Sequence, residues 1–337
     1  LFGATAAMQQ KRSCDMEALV KIRGLKKHFS QGRIKGKVLK AVDGVDLDIN
    51  PGETVGLVGE SGCGKSTLGR TVINLHNATE GMVEFRGTEI SSFKTRKMRP
   101  LRKEMQFIFQ DPYASLDPRK TVFQLVKAPL DAYKIGTEEE RNRKVSDMLN
   151  FVGLNEYQFS KLPHELSGGQ RQRVVIARTM VLEPTFVVCD EPVSALDVSV
   201  RAQVLNLMKK AQKGNDLAYL FISHDMSVVR YMCDKVAVMY LGRIVELGSR
   251  EDIFERPLHP YTKALLSAVP VPDVGNKRKR IILTGDVPSP LNPPSGCHFH
   301  TRCPHACEEC SRTECQLRPV SATHFVACPR AEETEAP

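Results

Sequence analysis

The sequence predicts an α/β chain organised around a mainly parallel sheet that carries a phosphate-binding loop. Three observations predict it. The stretch Gly59-Glu-Ser-Gly-Cys-Gly-Lys-Ser-Thr67 fits the pattern G-x-x-x-x-G-K-[ST] and follows the apolar strand pattern Thr54 to Val58. The run Phe186-Val-Val-Cys-Asp190, with Glu191 after it, reads as a buried parallel strand ending in carboxylates, where open α/β sheets place their ligands. From about Met16 to Pro270, short apolar strands alternate with helical patterns.

Each element has a chemical reason. The glycines Gly59, Gly62 and Gly64 let backbone N–H groups turn inward around phosphates, and Ser61, Cys63 and Thr67 complete the cradle. A helix predicted from about Lys65 presents its positive N-terminal end to the same anion. Lys65 is expected to reach the β- and γ-phosphates, and Ser66 to ligate Mg²⁺, a cation that keeps few protein oxygens beside phosphate and water oxygens. A chance glycine-rich turn is the competing reading, and the strand in front of the loop argues against it. Asp190 is expected to hold the Mg²⁺ through water. Glu191, one residue on and facing the opposite way, is expected to polarise the water that attacks the γ-phosphate. Here the competing reading is a solvated pair that merely ends a strand.

Leu166-Ser-Gly-Gly-Gln170 stands about twenty residues before that strand. Ser167 offers a hydroxyl, Gly168 and Gly169 offer unobstructed N–H groups, and the predicted helix Gln170 to Val181 offers its positive end, which together make a second anion site. One phosphate loop already surrounds its own nucleotide, so within a single subunit this second site is redundant. The loop, the Leu-Ser-Gly-Gly-Gln motif and the carboxylate strand, in this order, resemble the ABC-type ATPases, which implies an ABC-type P-loop ATPase fold. The resemblance implies that Ser167, Gly168, Gly169 and Gln170 close over the γ-phosphate of a partner subunit's ATP, giving two composite sites in a head-to-tail dimer. It also implies that Gln110, closing the strand Met105 to Phe109, senses Mg²⁺ and the attacking water. His224, after the strand Leu217 to Ile222, would contact the γ-phosphate, Ser194-Ala-Leu-Asp197 would touch the opposite subunit, and Phe29 would stack on adenine. Taken alone, a glutamine or histidine at a strand end is more often structural, and Phe29 could as easily be core.

At 337 residues the chain has room for about two domains and an ample core. No apolar stretch approaches the roughly 18 to 20 residues needed to span a bilayer and no secretory signal is visible, so the chain reads as a soluble subunit that borrows its membrane part. A net charge of +9 suits anionic ligands, nucleic acid or a membrane face, and equally a solvated basic surface. The basic stretches Arg33-Ile-Lys-Gly-Lys37 and Lys277-Arg-Lys-Arg280 lack the interleaved aromatics of a nucleic-acid groove, so no nucleic-acid partner is expected. Residues 1–15 read as a leader or tag and 16–270 as the ATPase domain, with a more helical section at about 111–165. That section matches the helical subdomain that contacts membrane subunits in ABC importers. No internal duplication is visible, so the second ATPase comes from another chain.

Beyond Pro270 the composition shifts to Pro, Gly, Lys and Arg, and six of the ten cysteines then fall between Cys297 and Cys328. Residues 271–337 therefore read as an extension with a small cysteine-rich module. Disulfides are improbable in a cytoplasmic ATPase, and four thiolates suit a [4Fe-4S] cluster or Zn²⁺ equally well in number. Leu283-Thr-Gly-Asp-Val-Pro-Ser-Pro-Leu-Asn-Pro-Pro-Ser-Gly-Cys297-His-Phe-His-Thr-Arg-Cys303-Pro, with Asp111-Pro-Tyr-Ala-Ser-Leu-Asp-Pro-Arg119, resembles ATPase subunits of oligopeptide and dipeptide importers, specifically the second of their two paralogous ATPases. That resemblance implies a [4Fe-4S] cluster on Cys297, Cys303, Cys310 and Cys328, with Zn²⁺ the alternative, while Cys307 and Cys315 depart from the pattern. Cys303-x3-Cys307-x2-Cys310 also fits the radical-SAM spacing, but only 27 residues follow Cys310, too few for the barrel that chemistry uses. The implied partners are a paralogous ABC ATPase subunit, two membrane permease subunits and an extracytoplasmic solute-binding protein, with the chain at the inner face of the plasma membrane. A nickel or other small-solute importer is the alternative. A soluble ABC ATPase acting on DNA or ribosomes would show a coiled coil or two cassettes, and a non-catalytic subunit would have lost Lys65, Glu191 or His224.

Overall fold

The computed structural model describes residues 17–30, 38–269 and 281–331. The expected leader 1–15, the basic stretches 33–37 and 277–280 and the boundary at Pro270 lie outside them. In the larger sheet the centre is parallel: β3 (Thr54–Val58), β6 (Met105–Ile108), β7 (Phe186–Asp190), β8 (Ala218–Ile222) and β9 (Lys235–Tyr240) run in the order β9-β3-β8-β7-β6. Every residue of β3, β7 and β8 is buried, as continuous apolar strands covered on both faces should be. The two faces follow the period of two along a strand. Val55, Leu57, Val188, Leu220 and Ile222 join one core, while Val187, Cys189, Tyr219 and Phe221 join the other.

The first of these cores lies under a second, four-stranded antiparallel sheet that the sequence reading did not resolve. It is built from β1 (Val20–Ser30), β2 (Val38–Ile49), β4 (Glu80–Phe85) and β5 (Thr88–Glu89), in the order β2-β1-β4-β5. Register shifts between Ile22 and Leu25 and between Lys27 and His28 break its alternation, which is why period two is faint in the sequence. Between the two sheets runs α1 (Lys65–Val72), which starts where the loop ends.

The other core is roofed by helices. After α2 (Thr95–Leu101) come α3 (Val122–Tyr133), α4 (Glu138–Phe151), α5 (Glu156–Phe159), α6 (Gly168–Met180) and α7 (Val198–Gln212). Within the expected section 111–165 the helices begin at Val122, after turns over 111–121, and their starts are written in the sequence. Thr121 with Gln124 and Thr137 with Glu140 form capping boxes that satisfy the first backbone donors of α3 and α4. The helix expected from Gln170 begins two residues earlier, at Gly168, because Ser167 is its N-cap.

After α8 (Met226–Met232), β9 turns antiparallel into β10 (Arg243–Ser249), and two short helices follow, α9 (Arg250–Glu255) and α10 (Pro260–Ser267). The C-terminal segment 281–331, expected as a module apart, instead extends this same sheet. After α11 (Glu308–Arg312), β11 (Arg318–Pro319) pairs with β12 (Phe325–Val326), and β12 pairs with β10 at Glu246 and Leu247. The physical reason is edge protection, since β10 would otherwise present an unpaired row of N–H and C=O groups. The join is fixed by a buried carboxylate. Glu246 accepts from the N–H groups of Leu258 at 2.7 Å and His259 at 3.0 Å, and its Oε1 lies 2.8 Å from His324 Nε2.

Replacing Glu246 by Ala removes the acceptor those three groups share. Breaking a buried hydrogen-bonded pair in this way should lower unfolding stability by about 3 kcal/mol. Urea unfolding of the intact chain checks it, and a loss under about 1 kcal/mol would show that the carboxylate does not fasten the segment.

Candidate nucleotide site

The loop between β3 and α1 is pressed against β9 of its own sheet and β2 of the antiparallel sheet. Gly59 has φ +151° and Gly64 φ +107°, and a Cβ would stand 2.2 Å from the Met239 carbonyl at the first and 2.0 Å from the Ala41 carbonyl at the second. No side chain fits at either position, so the backbone there is free to face a ligand. Lys65, 6% exposed, folds back and donates to the carbonyls of Gly59 at 2.7 Å and Glu60 at 2.9 Å. Its ammonium also lies 3.7 Å from Cys63 Sγ, and burial pushes that thiol's pKa up, so Cys63 is packing rather than a reactive thiolate.

Two strand ends bring carboxylates to the loop. Ser66 Oγ donates to Asp190 Oδ1 at 2.7 Å, joining α1 to β7. Asp190 is 1% exposed, and its Oδ2 is buried with no hydrogen-bond partner. The Arg70 guanidinium stands 3.6 Å from it, and burial raises the carboxyl's pKa. A hydroxyl beside an unsatisfied carboxylate oxygen is the hard-oxygen donor set Mg²⁺ takes, so these residues fit the expected cation. Arg70 was missed in the sequence, although it lies four residues after Ser66 on α1 and so on the same helix face.

Glu191 was expected to turn away from Asp190 by simple strand alternation. It does so by leaving the strand, adopting a left-handed φ of +49° that is uncommon for a non-glycine residue. Its N–H donates to the Ile222 carbonyl at 3.0 Å. Its carboxylate accepts from Gln110 Nε2 at 3.0 Å and lies 3.0 Å from His224 Nδ1. Gln110 from the end of β6, Glu191 from β7 and His224 from β8 are thus brought into one group. Ser194 Oγ donates to the Glu191 carbonyl at 3.1 Å, tying the Ser194–Asp197 segment to the same point. A cleft of about 560 Å³ opens beside this group, bordered by Gly59, Arg201, His224 and Asp225.

The Leu-Ser-Gly-Gly-Gln motif stands at the start of α6. Ser167 Oγ accepts from the Gln170 N–H, and Gln170 Oε1 accepts from the Ser167 N–H at 3.0 Å. Ser167 and Gly168 are exposed, and a Cβ at Gly168 would meet Leu196 Cδ2 only at an ordinary 3.9 Å. Gly169 differs from the expectation of an unobstructed glycine: it is buried, and a Cβ there would meet Val200 Cγ1 at 2.3 Å. Packing of α6 on α7 requires it. Phe29 meets His76 edge-on with centroids 5.7 Å apart, under the Lys27 ammonium, beside the segment that follows α1 rather than within the hydrogen-bonded group.

In the C-terminal segment the thiols gather but are not arranged as a ligand set. Among the described residues no group of three or more His, Cys, Asp or Glu side chains is placed to hold a metal ion. The sulfurs of Cys307 and Cys310 lie 3.4 Å apart, and neighbouring Cys315 holds the Cys297 thiol far below its usual pKa. Burial pushes Cys303 up to about 11. Thiols are the donor type a thiophilic centre takes, but these are not placed as its ligand set. Sequence reasoning missed Glu60, Tyr261 and Arg302, which meet at the loop across 201 and 242 residues, separations at which no local pattern signals a contact.

Comparison with known proteins accords with this geometry. Residues 42–194 match the family model described as ABC transporter, and residues 245–310 match that described as oligopeptide/dipeptide transporter, C-terminal region. The chain is 50% identical over 323 residues to the oligopeptide transport ATP-binding protein AppF of Bacillus subtilis, covering 94% of this chain and 98% of that protein. It is 49% identical over 325 residues to OppF of Salmonella typhimurium, covering 93% and 96%. Among solved structures, the ATP-binding cassette MJ0796, dimeric in a post-hydrolysis state with ADP and Pi, matches with TM-score 0.63 at 28% identity, covering 68% of this chain and 98% of that one. CbiO1 from Clostridium perfringens, part of the ABC transporter complex cbiONQ, matches with TM-score 0.62 at 28% identity, covering 71% and 92%. The chain therefore belongs to the ATP-binding proteins of ABC transporters, in the group that carries the oligopeptide/dipeptide transporter C-terminal region.

Proposed function

We propose that this chain hydrolyses ATP to drive peptide uptake, as one ATPase subunit of an ABC importer. The observation that carries the reading is the Glu191 carboxylate, held by Gln110 and His224 one residue from the Asp190–Ser66 hydrogen bond. In this reading the triphosphate lies along Gly59 to Thr67, and Lys65 exchanges its loop carbonyls for the β- and γ-phosphates. Ser66 and Asp190 would hold Mg²⁺, which when bound neutralises phosphate charge. Glu191 accepts a proton from the water that attacks the γ-phosphorus, while the bond to the leaving ADP oxygen breaks. Gln110 orients that water, and His224 hydrogen-bonds the γ-phosphate. Phe29 is kept as the adenine contact on its place in the sequence alone.

Ser167, Gly168, Gly169 and Gln170 act on the partner's nucleotide. Support comes from the exposure of Ser167 and Gly168 at a helix start, where N–H groups attract an anion. ATP binding would close a pair of such subunits, a paralogous ATPase being the partner, and hydrolysis would reopen it. None of the helices among the described residues is long and apolar enough to cross a membrane. Transport in this reading uses two permease subunits and an extracytoplasmic binding protein, with the chain peripheral at the inner face. The reading extends to a [4Fe-4S] cluster on Cys297, Cys303, Cys310 and Cys328, which would tie distant points of the C-terminal segment together.

Glu191→Gln preserves shape and removes the base, so turnover in the assembled complex should fall by ~10² to 10⁴ while ATP still binds. Lys65→Ala should instead weaken ATP binding, and near-full turnover of Glu191→Gln would reject the base assignment. Gly168→Asp, at an exposed glycine where a Cβ makes only ordinary contact with Leu196, sets a carboxylate against the partner's γ-phosphate. Equilibrium binding should find ATP affinity of the isolated subunit unchanged and ATPase of the complex lost; reduced affinity in the isolated subunit would mean the motif works in cis.

For the cluster, anaerobically purified protein should contain iron and acid-labile sulfide in similar amounts. Serine at Cys297, Cys303, Cys310 or Cys328 should bleach it, whereas serine at Cys307 or Cys315 should not. Colourless protein with stoichiometric zinc would replace the cluster by Zn²⁺, and bleaching by Cys315→Ser would move a ligand to that residue.

A further inference from the structure

The phosphate loop contains an acid. Glu60 directly follows Gly59, and a carboxylate inside a loop that accepts a polyanion would repel its ligand unless it were neutralised. The neutralising group comes from the far end of the chain. Arg302, in the turn just before Cys303, places Nη1 2.6 Å from Glu60 Oε2 and Nη2 3.0 Å from Glu60 Oε1, a parallel two-bond fork. The guanidinium side chain is 7% exposed and the carboxylate 27%, so solvent screens the pair only in part.

The rest of Glu60 is also held. Its N–H donates to Tyr261 Oη at 2.8 Å, and its carbonyl accepts from Lys65 Nζ at 2.9 Å. Phe299 packs against Tyr240 and Tyr261 with centroids 5.2 and 5.4 Å apart, which seats the turn that carries Arg302. Glu60 is therefore fixed from three sides, by α10, by the loop's own lysine and by the C-terminal segment.

We propose that Arg302 is a positioning residue for ATP: through the two-bond pair it neutralises and anchors Glu60, so that the loop presents an electropositive, fixed cradle to the phosphates. The C-terminal segment thereby becomes part of the nucleotide site rather than an appendage to it. The idea rests on nucleotide binding at the loop, and a wild-type chain that bound no ATP would remove that reading before this one was tested.

The test is a cycle of Arg302→Gln, Glu60→Gln and the double variant in the full chain, with ATP KM and kcat measured at low and high salt. Arg302→Gln frees the Glu60 charge and should raise KM on the order of tenfold with kcat little changed, less so at high salt. The double variant has no acid to neutralise and should return KM to within about threefold of wild type. Arg302→Lys, which keeps the charge but not the fork, should fall between. If Arg302→Gln does not fold, Arg302→Lys with and without Glu60→Gln gives the same comparison. The proposal is overturned if KM is unmoved by Arg302→Gln, or if the double variant is as poor as the single one, since a purely structural arginine would not be rescued by removing its partner's charge.

Discussion

The structure turns on a buried ammonium satisfied by the backbone. Lys65 lies almost wholly inside the protein and gives its donors to the carbonyls of Gly59 and Glu60, the two residues that open the loop. A lysine at that depth needs acceptors, because an uncompensated buried charge is costly. The loop can supply them only by curling around it. That curl is possible because Gly59 and Gly64 present no side chain to the carbonyls they approach. The start of α1 follows from the same geometry, and with it the reach of Ser66 and Arg70 to Asp190.

A second polar group beside the loop is built from other elements. β6, β7 and β8 end side by side, and each contributes one polar residue to the Gln110, Glu191 and His224 group. Parallel strands make this economical, since all their C-terminal ends face the same side. The left-handed backbone of Glu191 costs of order 1 kcal/mol, and the hydrogen bond from its N–H to the Ile222 carbonyl helps to hold it. Asp190 and Glu191 are adjacent yet differently placed: one is sealed in the core, the other meets solvent beside His224.

Much of this was legible in the sequence wherever pattern and chemistry coincide over a few residues. Thr54–Val58 and Phe186–Asp190 are strands with the bounds their apolar runs suggested. What was not legible is non-local or too short to have a period. β11 and β12 are two residues each, and no alternation exists at that length. The Arg302–Glu60 pair spans 242 residues, and neither residue type at its position announces the other. Gly169 was read as unobstructed, whereas a Cβ there would strike the Val200 methyl on the neighbouring helix. The cysteines were counted correctly, but their number says nothing of which sulfurs hydrogen-bond to one another.

The pairing of β12 with β10 also sets an order of events during synthesis. His324 leaves the ribosome 78 residues after the Glu246 that receives it. At ordinary translation speeds that interval is roughly 4 to 16 seconds. Throughout it, the far edge of the nucleotide-binding sheet is open and its central carboxylate has not yet met its imidazole. A nascent chain in that condition is a template for strand addition by its neighbours, so the last-made part of the described chain serves as the closing clasp that ends the period of greatest aggregation risk.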